Sequence, residues 1–333
     1  MGTYILKRLI LLAFVIWGIT TITFVIIHIV PRNPAIAMAG SWARPEQIEK
    51  FTERWGLNLP VWQQYYRYYW FLLRGDLGTS IRTERPVLTE LLIRFPATFE
   101  LATVSILFSM IIGIPLGLLS AVKRNSLFDN ATRGISLSGV SIPNFWLGLL
   151  LLLVFYYKLG WAVPGRVSPI VGAPRHITGL YLLDSLLTAN FSAFLSSLKH
   201  IVVPAFTLGF FGIGIICRLT RSGVLDVLRK DYITAARARG IPERTVIYKH
   251  VLRNALIPTV TVVGVLYGAM LAGAIVVEAV FAWPGLGYFM YLSIFKADQP
   301  AIMGGALLIA IIYSVINLFV DISYRFFDPR IKY

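Results

Sequence analysis

The chain is poor in cysteine, in acidic residues and in charge of any kind. Its one cysteine, Cys217, in 333 residues excludes an internal disulfide, and a place at a helix end gives no reason to expect a reactive thiol. Aspartate and glutamate together number 16 against 31 lysines and arginines, and charged residues make up 14% of the chain; a soluble domain carries about a quarter. The chain lacks a Gly-x-x-x-x-Gly-Lys-Ser/Thr phosphate loop, so it is not expected to hydrolyse ATP by that device. It lacks a His-Glu-x-x-His or cysteine cluster, so no metal site is expected. No Asp or Glu falls in the middle of an apolar run, which leaves nothing to titrate along a proton-coupled path. These absences describe a non-catalytic conduit that takes its energy from a partner. They weigh against a membrane-embedded enzyme and leave a non-transporting scaffold as the alternative from another class.

Apolar residues make up 57% of the chain and the mean hydropathy is +0.71. The expected class is therefore an all-α polytopic membrane protein in contact with the lipid bilayer. The net charge of +15 would suggest nucleic acid in a soluble protein. Here basic cytoplasmic loops are the simpler cause, and no nucleic-acid partner is expected. Six spans are predicted, over Leu9–Val30, Ala97–Val122, Ile135–Leu159, Ile201–Ile216, Leu256–Phe281 and Ala301–Phe319. The first is too long for a cleaved signal peptide and lacks a small-x-small cleavage site, so it is expected to remain. Lys7 and Arg8 place the N-terminus in the cytoplasm, and an even number of spans returns the C-terminus there, in a plasma-membrane protein. The expected organisation is a first helix over 1–30, an extracytoplasmic segment over 31–95, and a five-helix core over 96–333 with a cytoplasmic loop at 220–255.

Between the first two spans, Pro45–Trp55 has helical periodicity. Val61–Phe71 is so aromatic that it is expected to lie along the outer leaflet, or to form a lid over a cavity. Ser141-Ile-Pro143-Asn144 in the third span reads as a packed kink or as part of a polar pathway. Asn317, near the inner end of the last span, is the other pathway candidate. Gly264, Gly268 and Gly273 suit close helix packing. Ser192–Leu198 reads as a short interfacial helix, and no chemistry is read in the rest of Trp161–Lys199.

The charged island Asp231-Tyr-Ile-Thr-Ala-Ala-Arg-Ala-Arg-Gly240 interrupts two apolar runs. From Arg218 to Arg253 the basic residues 218, 221, 229, 230, 237, 239, 244, 249 and 253 outnumber the acidic 226, 231 and 243, nine to three, which marks the cytoplasmic side. Val224, Leu228, Tyr232 and Ala235 fall on one helical face. Gly240 supplies a left-handed cap and Pro242 suits the start of a second helix over Glu243–Arg253. Two short helices with a bend make either a rigid plug for another protein or a basic hairpin on anionic headgroups.

This island resembles the EAA loop of ATP-binding-cassette importer permeases. Ala235, Ala236 and Gly240 match, while Thr234 stands where the name-giving Glu would be. The longer spacing to Pro258, with His250-Val-Leu-Arg253-Asn254-Ala255, is similar to the dipeptide/oligopeptide/nickel branch. So are Leu73–Ser80, Glu278-Ala-Val-Phe-Ala-Trp283-Pro284-Gly285-Leu-Gly287 and Asp328–Ile331; Pro31-Arg32-Asn33-Pro34 departs from that branch's Pro-Gly-Asp-Pro. The resemblance implies the six-helix fold of type I importer permeases. It implies Asp231, Ala235, Ala236, Arg239 and Gly240 at the contact with an ATPase, and Glu278, Trp283, Pro284 and Gly285 at an outer gate or a binding-protein contact. The implied partners are a second homologous permease, two ATPase subunits that hold ATP and Mg while this chain binds no cofactor, and an extracytoplasmic solute-binding protein. The implied cargo is peptide, with oligosaccharide and nickel chelate as alternatives.

Overall fold

A computed structural model describes residues 2–29, 44–161, 164–296 and 298–327. The Pro31–Pro34 turn and the Asp328–Ile331 tail lie outside them. The described residues form helices joined by turns and by a longer irregular stretch before Tyr181, with one isolated bridge between Thr79 and Pro86. In chain order these are α1 (Gly2–Ile29), α2 (Pro45–Trp55), α3 (Val61–Leu73), α4 (Val87–Val122), α5 (Leu127–Ser141), α6 (Asn144–Lys158), α7 (Tyr181–Leu187), α8 (Phe191–Leu228), α9 (Asp231–Ala238), α10 (Glu243–Ala255), α11 (Ile257–Gly273), α12 (Ile275–Val280), α13 (Leu286–Phe295) and α14 (Gln299–Phe327). The second half of α6 and the middle of α10 are wound as wider π turns, over Leu153–Lys158 and Val246–Leu252.

Helices α4, α8 and α14 are each long and apolar enough to cross a membrane. The pairs α5–α6 and α10–α11 bring the number to five if each bent pair is one span. Helix α1 is apolar over Ile10–Val25. Three sequence expectations change. The third span is not one kinked helix: α5 and α6 meet at 105°, because Pro143 cannot donate to the preceding turn and Ile142 is extended at ψ 122°. The helix after Pro242 does not end at Arg253 but runs to Ala255 and meets α11 at 50°. Ser192–Leu198 is not a separate helix; it is the first two turns of α8, 38 residues or about 57 Å long. Asn190 caps it, accepting from the Ala193 N–H at 3.0 Å.

The chain divides into two compact units, Met1–Thr98 with Pro284–Val315, and Phe99–Trp283 with Ile316–Tyr333. In the first, Val87, Leu91, Leu286, Phe289 and Ala301 form a core. Helix α3 lies against α1: the Thr21 hydroxyl is 2.8 Å from that of Tyr65, the Tyr69 hydroxyl donates to the Trp17 carbonyl at 2.9 Å, and Phe24 packs on Tyr65 and Tyr68. Its opposite face leaves Trp62, Tyr66 and Trp70 exposed.

Helix α8 is the spine of the second unit, packed against α5, α6, α7 and α11. Contact is closest where small residues remove side-chain bulk. A Cβ on Gly117 of α4 would lie 2.5 Å from the Cys217 carbonyl oxygen and 2.8 Å from Thr220 Cβ. Gly273, by contrast, faces open space in this chain.

Candidate functional site

The charged island folds as expected in outline. Lys230 is extended at ψ 142° and breaks the helix that ends at Leu228. Asp231 then opens α9, where a carboxylate complements the partial positive charge of the helix N-terminus. Gly240 takes φ +74°, a left-handed backbone with no Cβ penalty, and its N–H reaches the Arg237 carbonyl at 2.9 Å. Pro242 sits just before α10, its carbonyl accepting from Thr245 and Val246 at 2.8 and 3.1 Å.

The buried face differs from the one the periodicity suggested. Ile233 and Ala236 point inward, into a cluster with Leu118, Ala121, Val224, Val246, Val251 and Ala255. Tyr232 and Ala235 are exposed. The break at Arg229–Lys230 resets the helical phase, so a count carried across it from Val224 assigns the wrong face. Of the coupling candidates, Asp231, Ala235, Arg239 and Gly240 are exposed, while Ala236 packs inside its own chain. Arg237 forks onto Glu243 with bonds of 2.6 and 3.1 Å. That pair is exposed, and such pairs add little stability. Arg239 has no carboxylate partner among the described residues.

Above this cluster sits an ion pair that periodicity did not reveal. Asp129, fully buried at the start of α5, takes Arg221 Nε at 2.8 Å and Nη2 at 2.9 Å, the Ser120 hydroxyl at 2.6 Å and the Asn125 N–H at 3.0 Å. Asp129 and Arg221 are 92 positions apart, so no local pattern could pair them.

At the other end of the second unit, Glu278 is fully buried in α12 and Trp283 is buried beside it. The Trp283 N–H donates to the Glu278 carbonyl at 2.8 Å, closing the turn. Neither side chain reaches the surface of the chain. Pro284 is exposed and Gly285 is buried ahead of α13. The Gly165 N–H donates to the Phe281 carbonyl at 3.0 Å, and the Arg166 guanidinium lies over the rings of Tyr181, at 3.6 Å, and Trp283, at 5.7 Å. Arg166 also bonds Glu100 Oε2 at 2.6 Å and the Gly179 carbonyl at 2.9 Å; Glu100 Oε1 accepts from the Leu182 N–H at 2.7 Å. The segment after Trp161, in which no chemistry was read, is thus tied to the Glu278–Trp283 turn by the Gly165–Phe281 hydrogen bond and by Arg166 over Trp283, and to α4 by the buried Arg166–Glu100 ion pair. Within it Asp184 is buried. Burial would push its carboxyl up, but hydrogen bonds from the Thr178 hydroxyl and from the N–H groups of Thr178, Ile177 and Gly179 outweigh this and hold it below the usual carboxylate range.

The pathway candidates are not brought together. Asn144 is half-buried as the first residue of α6 and Asn317 is half-buried in α14, and neither side chain makes a hydrogen bond among the described residues.

Comparison with known proteins covers the whole chain. Residues 113–333 match the family described as binding-protein-dependent transport system inner membrane component, and residues 1–102 match its N-terminal companion. The chain is 46% identical to the probable D,D-dipeptide transport system permease protein DdpB of Escherichia coli, over 96% of this chain and 94% of that one. It is 45% identical to the dipeptide transport system permease protein DppB of Alkalihalophilus pseudofirmus, over the full length of both. Among solved structures, the MetNI methionine ABC transporter in an inward-facing conformation matches with a TM-score of 0.52 at 21% identity, over 72% of this chain and 96% of that one, which is a likeness of fold. The bent and long apolar helices described above are thus those of a type I importer permease, and the chain belongs to the family of inner membrane components of binding-protein-dependent transport systems.

Proposed function

We propose that the chain is a transmembrane permease subunit of an ABC importer that takes up peptides. It pairs with a second, homologous permease, receives cargo from an extracytoplasmic solute-binding protein, and is driven by two ATPase subunits that hold ATP and Mg. The observation that carries this reading is the end-to-end likeness, at 45–46% identity, to permeases named for dipeptide transport. Six spans with both termini in the cytoplasm place α9 and α10 beside the ATPases. Ala235 and Gly240, exposed beside the charged Asp231 and Arg239, suit a docking helix, because small side chains let a partner's backbone approach. ATP-driven closure of the ATPases then acts on α9, and the spans open towards the binding protein.

Two neighbouring alanines test the docking. Ala235→Trp adds bulk on the exposed face, so the chain should fold but lose ATPase co-purification or substrate-stimulated hydrolysis. Ala236→Trp adds the same bulk inside the Ile233–Val246 cluster, where overpacking costs about 1–3 kcal/mol, so it should lower the melting temperature of the chain itself. Normal coupling in folded Ala235→Trp would remove α9 from the contact.

A further inference from the structure

The coupling helix alone moves nothing; its displacement must be passed to the spans. The buried face of α9 shares one apolar cluster with Val246 and Val251 of α10, Val224 of α8, and Leu118 and Ala121 at the end of α4. Apolar contacts of this kind resist compression but can slide. One polar connection fixes two of these elements, α8 and α4, to α5. Asp129 receives Arg221 of α8 through a two-pronged fork, the Ser120 hydroxyl from the last turns of α4, and the backbone N–H of Asn125 in the turn between α4 and α5. The aspartate is shut off from solvent and the Arg221 side chain is 21% exposed. Arg221 stands two turns before Leu228, where α8 hands over to α9. A forked guanidinium–carboxylate pair fixes angle as well as distance, and in a buried setting its loss cannot be made good by water.

We infer that the Asp129–Arg221 pair is a strut that transmits displacement of α9, through the end of α8, to α4 and α5. In this role both are positioning residues, since neither faces the exposed patch of α9. The inference rests on the importer function proposed above. Packing alone would explain a buried pair, but it would not predict that the exchange rate between ATP and cargo depends on the fork.

The test uses the assembled transporter in proteoliposomes with its own purified solute-binding protein, and reads dipeptide taken up per ATP hydrolysed. Wild type must first show hydrolysis stimulated by the loaded binding protein; if it does not, the importer reading fails before the strut is tested. Arg221→Lys keeps the charge and replaces the fork by a single point of contact, and Asp129→Asn keeps the shape and removes the charge. In both, assembled complexes should keep basal hydrolysis while uptake per ATP falls at least about fivefold, the lower bound of ordinary coupling free energies. Should Asp129→Asn fail to assemble, Arg221→Lys decides alone. Unchanged uptake per ATP in Arg221→Lys would overturn the inference. So would a loss confined to the yield of complex, because that is what simple packing predicts.

Discussion

At the scale of single residues, the buried charges carry the sharpest expectations. Arg166 and Glu100 are both almost wholly buried, and removing one partner strands the other, which typically costs about 3–5 kcal/mol. Arg166→Ala should therefore destabilise the chain by a few kcal/mol, read as a fall in the detergent-solubilised melting temperature. Asp184 makes a prediction in pH. Its folded pKa lies below the unfolded value of about 3.9, so its contribution is fully present above that value. It is lost as pH falls through the depressed folded value. Protection of the Thr178 and Gly179 amides against hydrogen exchange, relative to the intrinsic rate at each pH, should persist from pH 7 to 5 and fall only in strong acid, whereas Asp184→Asn should lower it at pH 7. Slow exchange in that variant would mean that the carboxylate does not hold the turn. The sequence made some of these residues visible and hid others. Gly240 was legible because a glycine between two helical patterns has one common use, and it takes φ +74°. The partner of Asp129 was not legible, since a bond across 92 positions leaves no mark on local spacing.

At the scale of elements, apolar length located the helices and proline misled about their shape. Pro143 reads in sequence as a kink, a defect that neighbours repair. In the structure Ile142 is also extended and the two halves part at 105°. Two consecutive non-helical residues end a helix; one only bends it. The extended Lys230 likewise separates α8 from α9 and shifts the phase, which is why Ala236 and not Ala235 is buried. Packing depends on where bulk is missing. Gly117 lets α4 approach the backbone of α8 at Cys217, and Gly117→Ala must push the two apart, at about 1–3 kcal/mol. Gly273→Ala, where a Cβ meets nothing within 4 Å in this chain, should leave the melting temperature of the isolated chain unchanged. Equal effects of the two would contradict this account of the α4–α8 contact.

At the scale of the whole molecule, composition alone placed the chain in a membrane, and the basic loop around α9 is the ground for the proposed orientation. Accessibility of engineered cysteines reads that orientation directly, with little background because the native Cys217 is buried. Thr79→Cys should react with an impermeant reagent from outside intact cells, and Glu243→Cys only after the membrane is opened. Reaction of both from one side would refute the proposed topology. The central claim is that this chain conducts peptides only as part of an ATP-driven assembly. Uptake of a labelled dipeptide into proteoliposomes tests it most directly, with this chain, its partner permease, the ATPase subunits and the solute-binding protein all present. The account predicts uptake that stops when either ATP or the binding protein is withheld, and no hydrolysis by this chain alone. Uptake that continues without ATP or without the ATPase subunits would contradict it.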